Sequence, residues 1–137
     1  MDLNAYVVVR DAYSAWREGD LERFTRYLAP DIAFAVPSSS TTFVGTGTGR
    51  DTLKQRLQAF LDAYDVLEFT LMSAIPTEDG FDFRVNYHYS SKTNGLDIQG
   101  AQRHLWVVRG GLITSFTVVH DAGRLGAFFD LTSREFA

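Results

Sequence analysis

Large apolar side chains at Leu3, Tyr6, Val9, Tyr13 and Trp16 recur every three or four positions, which places them on one face of an amphipathic helix with Asp2 able to cap its start. Gly19-Asp20 ends that helix and caps a second, in which Leu21, Phe24, Tyr27 and Leu28 share a face until Pro30 stops it. So short a link predicts an antiparallel helix pair. Ile32, Phe34 and Val36 alternate with alanines and predict a short strand ending at Pro37, whereas the run from Ser38 to Thr42 has no period and reads as a loop. Gly45, Gly47 and Gly49 lead into a third helix from about Asp51 to Tyr64, with Leu53, Leu57, Phe60, Leu61 and Tyr64 inside and Lys54, Gln55, Gln58 and Asp62 outside.

Beyond Asp65 the period drops to two. Strands are predicted from Val66 to Thr77, Gly80 to Ser91, Leu96 to Arg109 and Leu112 to His120, joined by the hairpin signals Glu78-Asp79-Gly80, Thr93-Asn94-Gly95 and Gly110-Gly111. Leu125, Phe128 and Phe129 return to helical spacing, so a short helix from Ala122 to Phe129 closes one end of the sheet. Helices followed by hairpins make one α+β domain over residues 1–137. The expected architecture is a cone: a strongly curved antiparallel or mixed sheet with three N-terminal helices on its concave side and a short C-terminal helix. A cavity remains wherever the inward side chains do not fill it.

Composition narrows the chemistry. Apolar residues make up 45% of 137, enough for a real core, and a net charge of -4 with scattered Arg and Lys provides no field for a nucleic acid backbone. No cysteine means no disulfide, thiolate nucleophile or Cys-based metal site. The start of the chain lacks the positive charge of a signal peptide and no apolar run reaches the ~20 residues of a membrane span, so a soluble, cytoplasmic protein is expected. The stretch from Gly45 to Arg50 has neither dinucleotide-binding nor P-loop spacing, and no Ser sits in a nucleophile elbow. Three scattered His residues form no metal motif, and neither metal nor cofactor is expected.

Strand parity points to a different site. Phe81, Phe83, Val85, Tyr87 and Tyr89 fall on one face of their strand, with Asp82, Arg84, Asn86, His88 and Ser90 on the other. On the next strand Leu96, Ile98, Gly100, Gln102, His104, Trp106 and Val108 form the inner series, while Arg103 faces out. Gln102 and His104 are thus polar groups on an apolar wall, and leaving them without partners would cost about 1 to 3 kcal/mol each. Phe116, Val118 and His120 share the inner face of the last strand, with Asp121 at its exit, where it could also cap a helix.

The order helix, Gly-Asp turn, helix, Ala-Pro-Asp, strand, Gly-rich loop, helix and hairpins resembles the nuclear transport factor 2-like superfamily, and within it the SnoaL-like polyketide cyclase and ketosteroid isomerase group. The residues that carry the resemblance are those from Tyr13 to Leu21, Leu28 to Phe34, Gly47 to Leu53 and His104 to Ile113. Ketosteroid isomerases place a general-base Asp where this chain has Val36, an oxyanion-binding Tyr at Ala12 and a protonated Asp at His104, so the steroid-isomerase machinery is missing. The Gln-x-His pair and late Asp of the cyclases are similar to Gln102, His104 and Asp121.

The resemblance implies a cofactor-independent acid/base enzyme acting on an apolar, carbonyl-containing small molecule, of cyclase, isomerase or dehydratase type. Asp121 or His120 would take the proton and His104, oriented by Gln102, would donate to the enolate oxygen. Tyr13, Phe34, Phe60, Phe81, Phe83, Tyr87, Trp106 and Phe116 are the expected substrate-binding walls. The rival is a non-catalytic ligand-binding or dimerising module; an epoxide hydrolase would need Arg103 turned inward beside Asp121. A homodimer through an outer row containing Leu105, Val107 and Val119 is also expected from the resemblance.

Overall fold

Asp2 accepts hydrogen bonds from the backbone N–H groups of Asn4 and Ala5, and this cap opens helix α1 (Leu3–Arg17). In the computed structural model, which describes residues 2–37 and 44–133, Gly19 follows the cap of α1, and its φ of +71° is the left-handed conformation glycine allows. Asp20 then caps α2 by accepting from Arg23 N–H at 3.0 Å. This second helix is shorter than expected: α2 is only Leu21–Thr25, and Leu28 opens strand β1 (Leu28–Val36) rather than closing a helix. Pro30 therefore lies inside a strand. Its missing N–H is tolerated because the pairing register is irregular between Leu28 and Ala33.

The glycine-rich stretch forms a four-residue strand, β2 (Gly45–Thr48), before α3 (Arg50–Ala63). The loop expected from Ser38 to Thr42 lies outside the described residues. Strands β3 (Tyr64–Pro76), β4 (Gly80–Ser91), β5 (Asp97–Arg109) and β6 (Leu112–Val119) make the expected antiparallel meander, and α4 (Ala122–Ser133) follows. The Gly110-Gly111 turn has φ of +59° and +79°, the pair of positive values that a tight hairpin between twisted strands requires.

All six strands form one sheet in the order β2-β1-β6-β5-β4-β3. It is mixed, because β1 runs parallel to β6, and open, because β2 and β3 are its two ends. Helix α1 lies across β4, β5 and β6, and α3 packs on β1, β2 and β3. Tyr6 meets Phe81 edge-on at 5.7 Å and Tyr13 meets Phe83 at 5.2 Å, so aromatic edges on faces fill the helix-sheet interface. Gly80 allows the closest strand approach, since a Cβ there would sit 1.7 Å from the Trp106 carbonyl oxygen. Gly100 leaves room for the Tyr87 hydroxyl and the Arg124 guanidinium, which donates to Gln99 O and ties α4 to β5. Phe128 and Phe129 of α4 pack on Tyr64 at ring separations of 5.7 and 5.6 Å. Among the described residues no helix is long and apolar enough to cross a membrane.

Candidate functional site

Alternation along β4 and β5 decides which side chains can meet. Phe81, Phe83, Val85, Tyr87 and Tyr89 are buried, as are Ile98, Gln102, His104 and Trp106, while Arg84, Gln99 and Arg103 are exposed. Arg103 Nη2 donates to Asp82 Oδ2 at 2.5 Å on the outer face, so Arg103 is not turned inward beside Asp121 as an epoxide hydrolase relay would need. His88 also lies on that outer face, 2.6 Å from Asp97.

His104, only 3% exposed, is the centre of a buried hydrogen-bonded chain. The Trp106 indole, which can only donate, gives its Nε1–H to the Tyr13 hydroxyl oxygen at 2.7 Å. The Tyr13 proton goes to His104 Nδ1 at 2.8 Å. The ring hydrogen of His104 therefore sits on Nε2 and is accepted by Gln102 Oε1 at 2.9 Å. The Trp106 N–H, the Tyr13 hydroxyl, both His104 nitrogens and the Gln102 carbonyl oxygen all find partners, which is how an apolar core accepts these side chains. Burial, and secondarily the nearby His120, push the His104 pKa down to about 3, so the ring is neutral at neutral pH. Burial raises the Tyr13 hydroxyl well above its ordinary value, with the Trp106 hydrogen bond opposing.

Next to this chain is an apolar cavity of about 90 Å³, walled by Trp16, Phe60, Phe69, Tyr89, Phe116 and Leu125 among others. Tyr13, Gln102, His104, Trp106 and His120 also line it. Two of its polar groups are unsatisfied. Both ring nitrogens of His120 and Nε1 of Trp16 are sealed from solvent with no hydrogen-bond partner among the described residues. His120 turns inward because Val118 and Val119 set the parity of β6: Val118 is buried, Val119 is exposed, and the next residue returns to the inner side.

Asp121 does not join this group. It is exposed, and its Oδ1 accepts from Arg124 N–H at 3.0 Å, the capping role that its place before a helix allowed. Of the expected aromatic walls, Tyr13, Phe60, Trp106 and Phe116 line the cavity, whereas Phe34, Phe81, Phe83 and Tyr87 do not. Phe81 and Phe83 are covered by Tyr6 of α1, Phe34 lies under the Arg56 guanidinium at 5.3 Å, and Tyr87 stacks on Tyr89 at 4.8 Å. All four have the right parity but sit where helices or neighbouring side chains fill the space. Trp16, Phe24, Phe69, Tyr89 and Phe129 are wall residues outside the set of substrate-binding walls expected from the sequence. Trp16 was within reach, three positions after Tyr13 on the same helical face. Among the described residues no group of three His, Asp or Glu side chains converges in a metal-binding arrangement.

The sequence model of the SnoaL-like domain matches residues 9–116. No curated protein matches the chain. Among solved structures, a nuclear transport factor 2-like protein of Burkholderia thailandensis has a TM-score of 0.79 at 19% identity, covering 96% of this chain and 98% of that one. TerC, co-crystallised with polyporic acid, has a TM-score of 0.77 at 18% identity, with coverages of 96% and 99%. A Mycobacterium tuberculosis protein in complex with estradiol-17β-hemisuccinate has a TM-score of 0.73 at 15% identity, with coverages of 86% and 94%. At these identities the likeness concerns the fold.

Proposed function

The chain belongs to the SnoaL-like domain family, and from that premise we propose that it is a cofactor-independent acid/base enzyme that moves a proton next to the carbonyl of an apolar small molecule. The observation that carries this reading is His120: an imidazole in an apolar cavity with neither nitrogen engaged. Burying such a ring unpaired costs stability, and a fold that keeps it there has a use for it. In the proposed step a C–H proton beside the carbonyl passes to an imidazole nitrogen of His120. The C–H electron pair moves into the C–C bond, the carbonyl becomes an enolate, and the same proton returns to another atom of the substrate.

His104 has a different role from the one its sequence position implies. Both its nitrogens are engaged, Nδ1 by Tyr13 and Nε2 by Gln102, so it acts as a positioning residue. By donating to Gln102 Oε1 it fixes the amide, whose nitrogen provides the donors for the developing enolate oxygen. The cavity also limits size. At about 90 Å³ it is smaller than the ~150 Å³ void that accepts benzene, so the protein encloses only part of a ring-sized ligand.

Deuterium exchange tests the reading. Cyclohexanone incubated with the protein in deuterated buffer should exchange the hydrogens beside its carbonyl faster than in buffer alone, as followed by proton NMR. Saturable binding without accelerated exchange would replace this reading with the binding-module one, to which the ligand-bound similar structures lend themselves equally.

A further inference from the structure

The second unpaired group, Trp16 Nε1–H, is used neither by the buried hydrogen-bonded chain nor by the proposed proton transfer. Trp16 is 9% exposed, its nitrogen is sealed, and its ring lines the same cavity from the last turn of α1. Phe24, Phe60 and Phe69 surround the ring at 6.0 to 6.3 Å and offer no acceptor. The other indole of the chain, Trp106, is satisfied by Tyr13, so an unpaired N–H is not a general habit of this core.

An indole nitrogen only donates, so whatever meets it must accept. Among the described residues the cavity wall contains no Lys or Arg to balance a carboxylate or phosphate, which favours a neutral oxygen. Trp16 reaches the cavity from α1, whereas Gln102 and His120 reach it from β5 and the end of β6. We infer that the substrate carries a second neutral acceptor oxygen, a ketone, ether or hydroxyl on a ring-sized apolar body, and that Trp16 Nε1–H is the specificity determinant that receives it. This rests on the proposed function for the location of the reacting carbonyl.

The test compares cyclohexane-1,4-dione with cyclohexanone, two rings of similar size that differ in one acceptor. In ¹⁵N-labelled protein the chain's two indole N–H signals, assigned with Trp16→Phe, are followed during titration. The dione should move the Trp16 signal downfield in a saturable way and leave that of Trp106 in place. Trp16→Phe should weaken dione binding about five-fold more than cyclohexanone binding, the worth of one neutral hydrogen bond. Equal weakening of both ligands, an unmoved Trp16 signal at saturation, or no binding of the dione at millimolar concentration would overturn the inference. The readout needs no turnover: a normal Trp16 shift with no deuterium exchange would refute the catalytic reading alone, and exchange without the shift would refute only the role of Trp16.

Discussion

Replacing His120 with alanine should slow enzyme-dependent exchange of ketone hydrogens by about 10²- to 10⁴-fold, the usual contribution of a positioned general base. The size of the effect follows from the geometry, because Asp121 is outside the cavity and His104 has both nitrogens engaged, so neither can substitute. A second variant separates chemistry from architecture. His120→Phe keeps an aromatic ring at the site but removes two nitrogens that have no partner among the described residues. Removing unsatisfied polar atoms is neutral or stabilising when the shape is kept, so the urea midpoint of His120→Phe should equal or exceed that of the parent. A fall of 2 kcal/mol or more in that variant, or undiminished exchange in His120→Ala, would make His120 a structural residue and remove the proposed mechanism.

His104 should show the opposite behaviour, with its largest effect on stability. Its folded-state pKa is depressed to about 3, against ~6.5 in an unfolded chain, so between these values the unfolded state binds a proton that the folded state refuses. The resulting stability is present above pH 6.5 and is lost as the pH falls. By pH 3.5 the loss should amount to about 4 kcal/mol. Carboxylates titrate in the same range, so the quantity to measure is the difference between the parent and His104→Gln in urea unfolding from pH 7 to pH 3.5. The variant should be less stable at neutral pH by about 1 to 3 kcal/mol, because the Tyr13 and Gln102 partners lose their fit. The gap should then narrow or invert in acid. Parallel curves would mean that His104 is not kept neutral by burial.

Period-two alternation in β4 and β5 was enough to place Gln102, His104 and Trp106 on one inner wall, because a strand between two others cannot rotate a residue without turning its whole face over. The same rule stops where the strand stops. At Asp121 a helix cap competes with the cavity for the carboxylate, and local hydrogen bonding to Arg124 N–H prevails. The second helix is overestimated because Tyr27 and Leu28 fit a helical face equally well, and only pairing of Leu28 with the distant Ile113 makes it a strand. Tyr13 is legible as a core residue of α1, but its contacts with Trp106 and His104 span most of the chain and leave no mark in local spacing. Phe34, Phe81, Phe83 and Tyr87 show that inward is not the same as cavity-lining: parity selects a face, and packing along that face decides which part stays open.

The parallel neighbour of β6 has consequences for synthesis. Phe34, near the start of the chain, sits opposite Phe116 near its end, and β1 has no other partner on that side. While the nascent polypeptide is still on the ribosome, β1 and β2 can pair with each other and pack on α3, but they cannot join the rest of the sheet until β6 emerges. A chain released after Arg109 should therefore be digested by protease like an unfolded polypeptide, while the full chain resists. Stable protection of the shortened chain would show that the chain folds without β6 and α4.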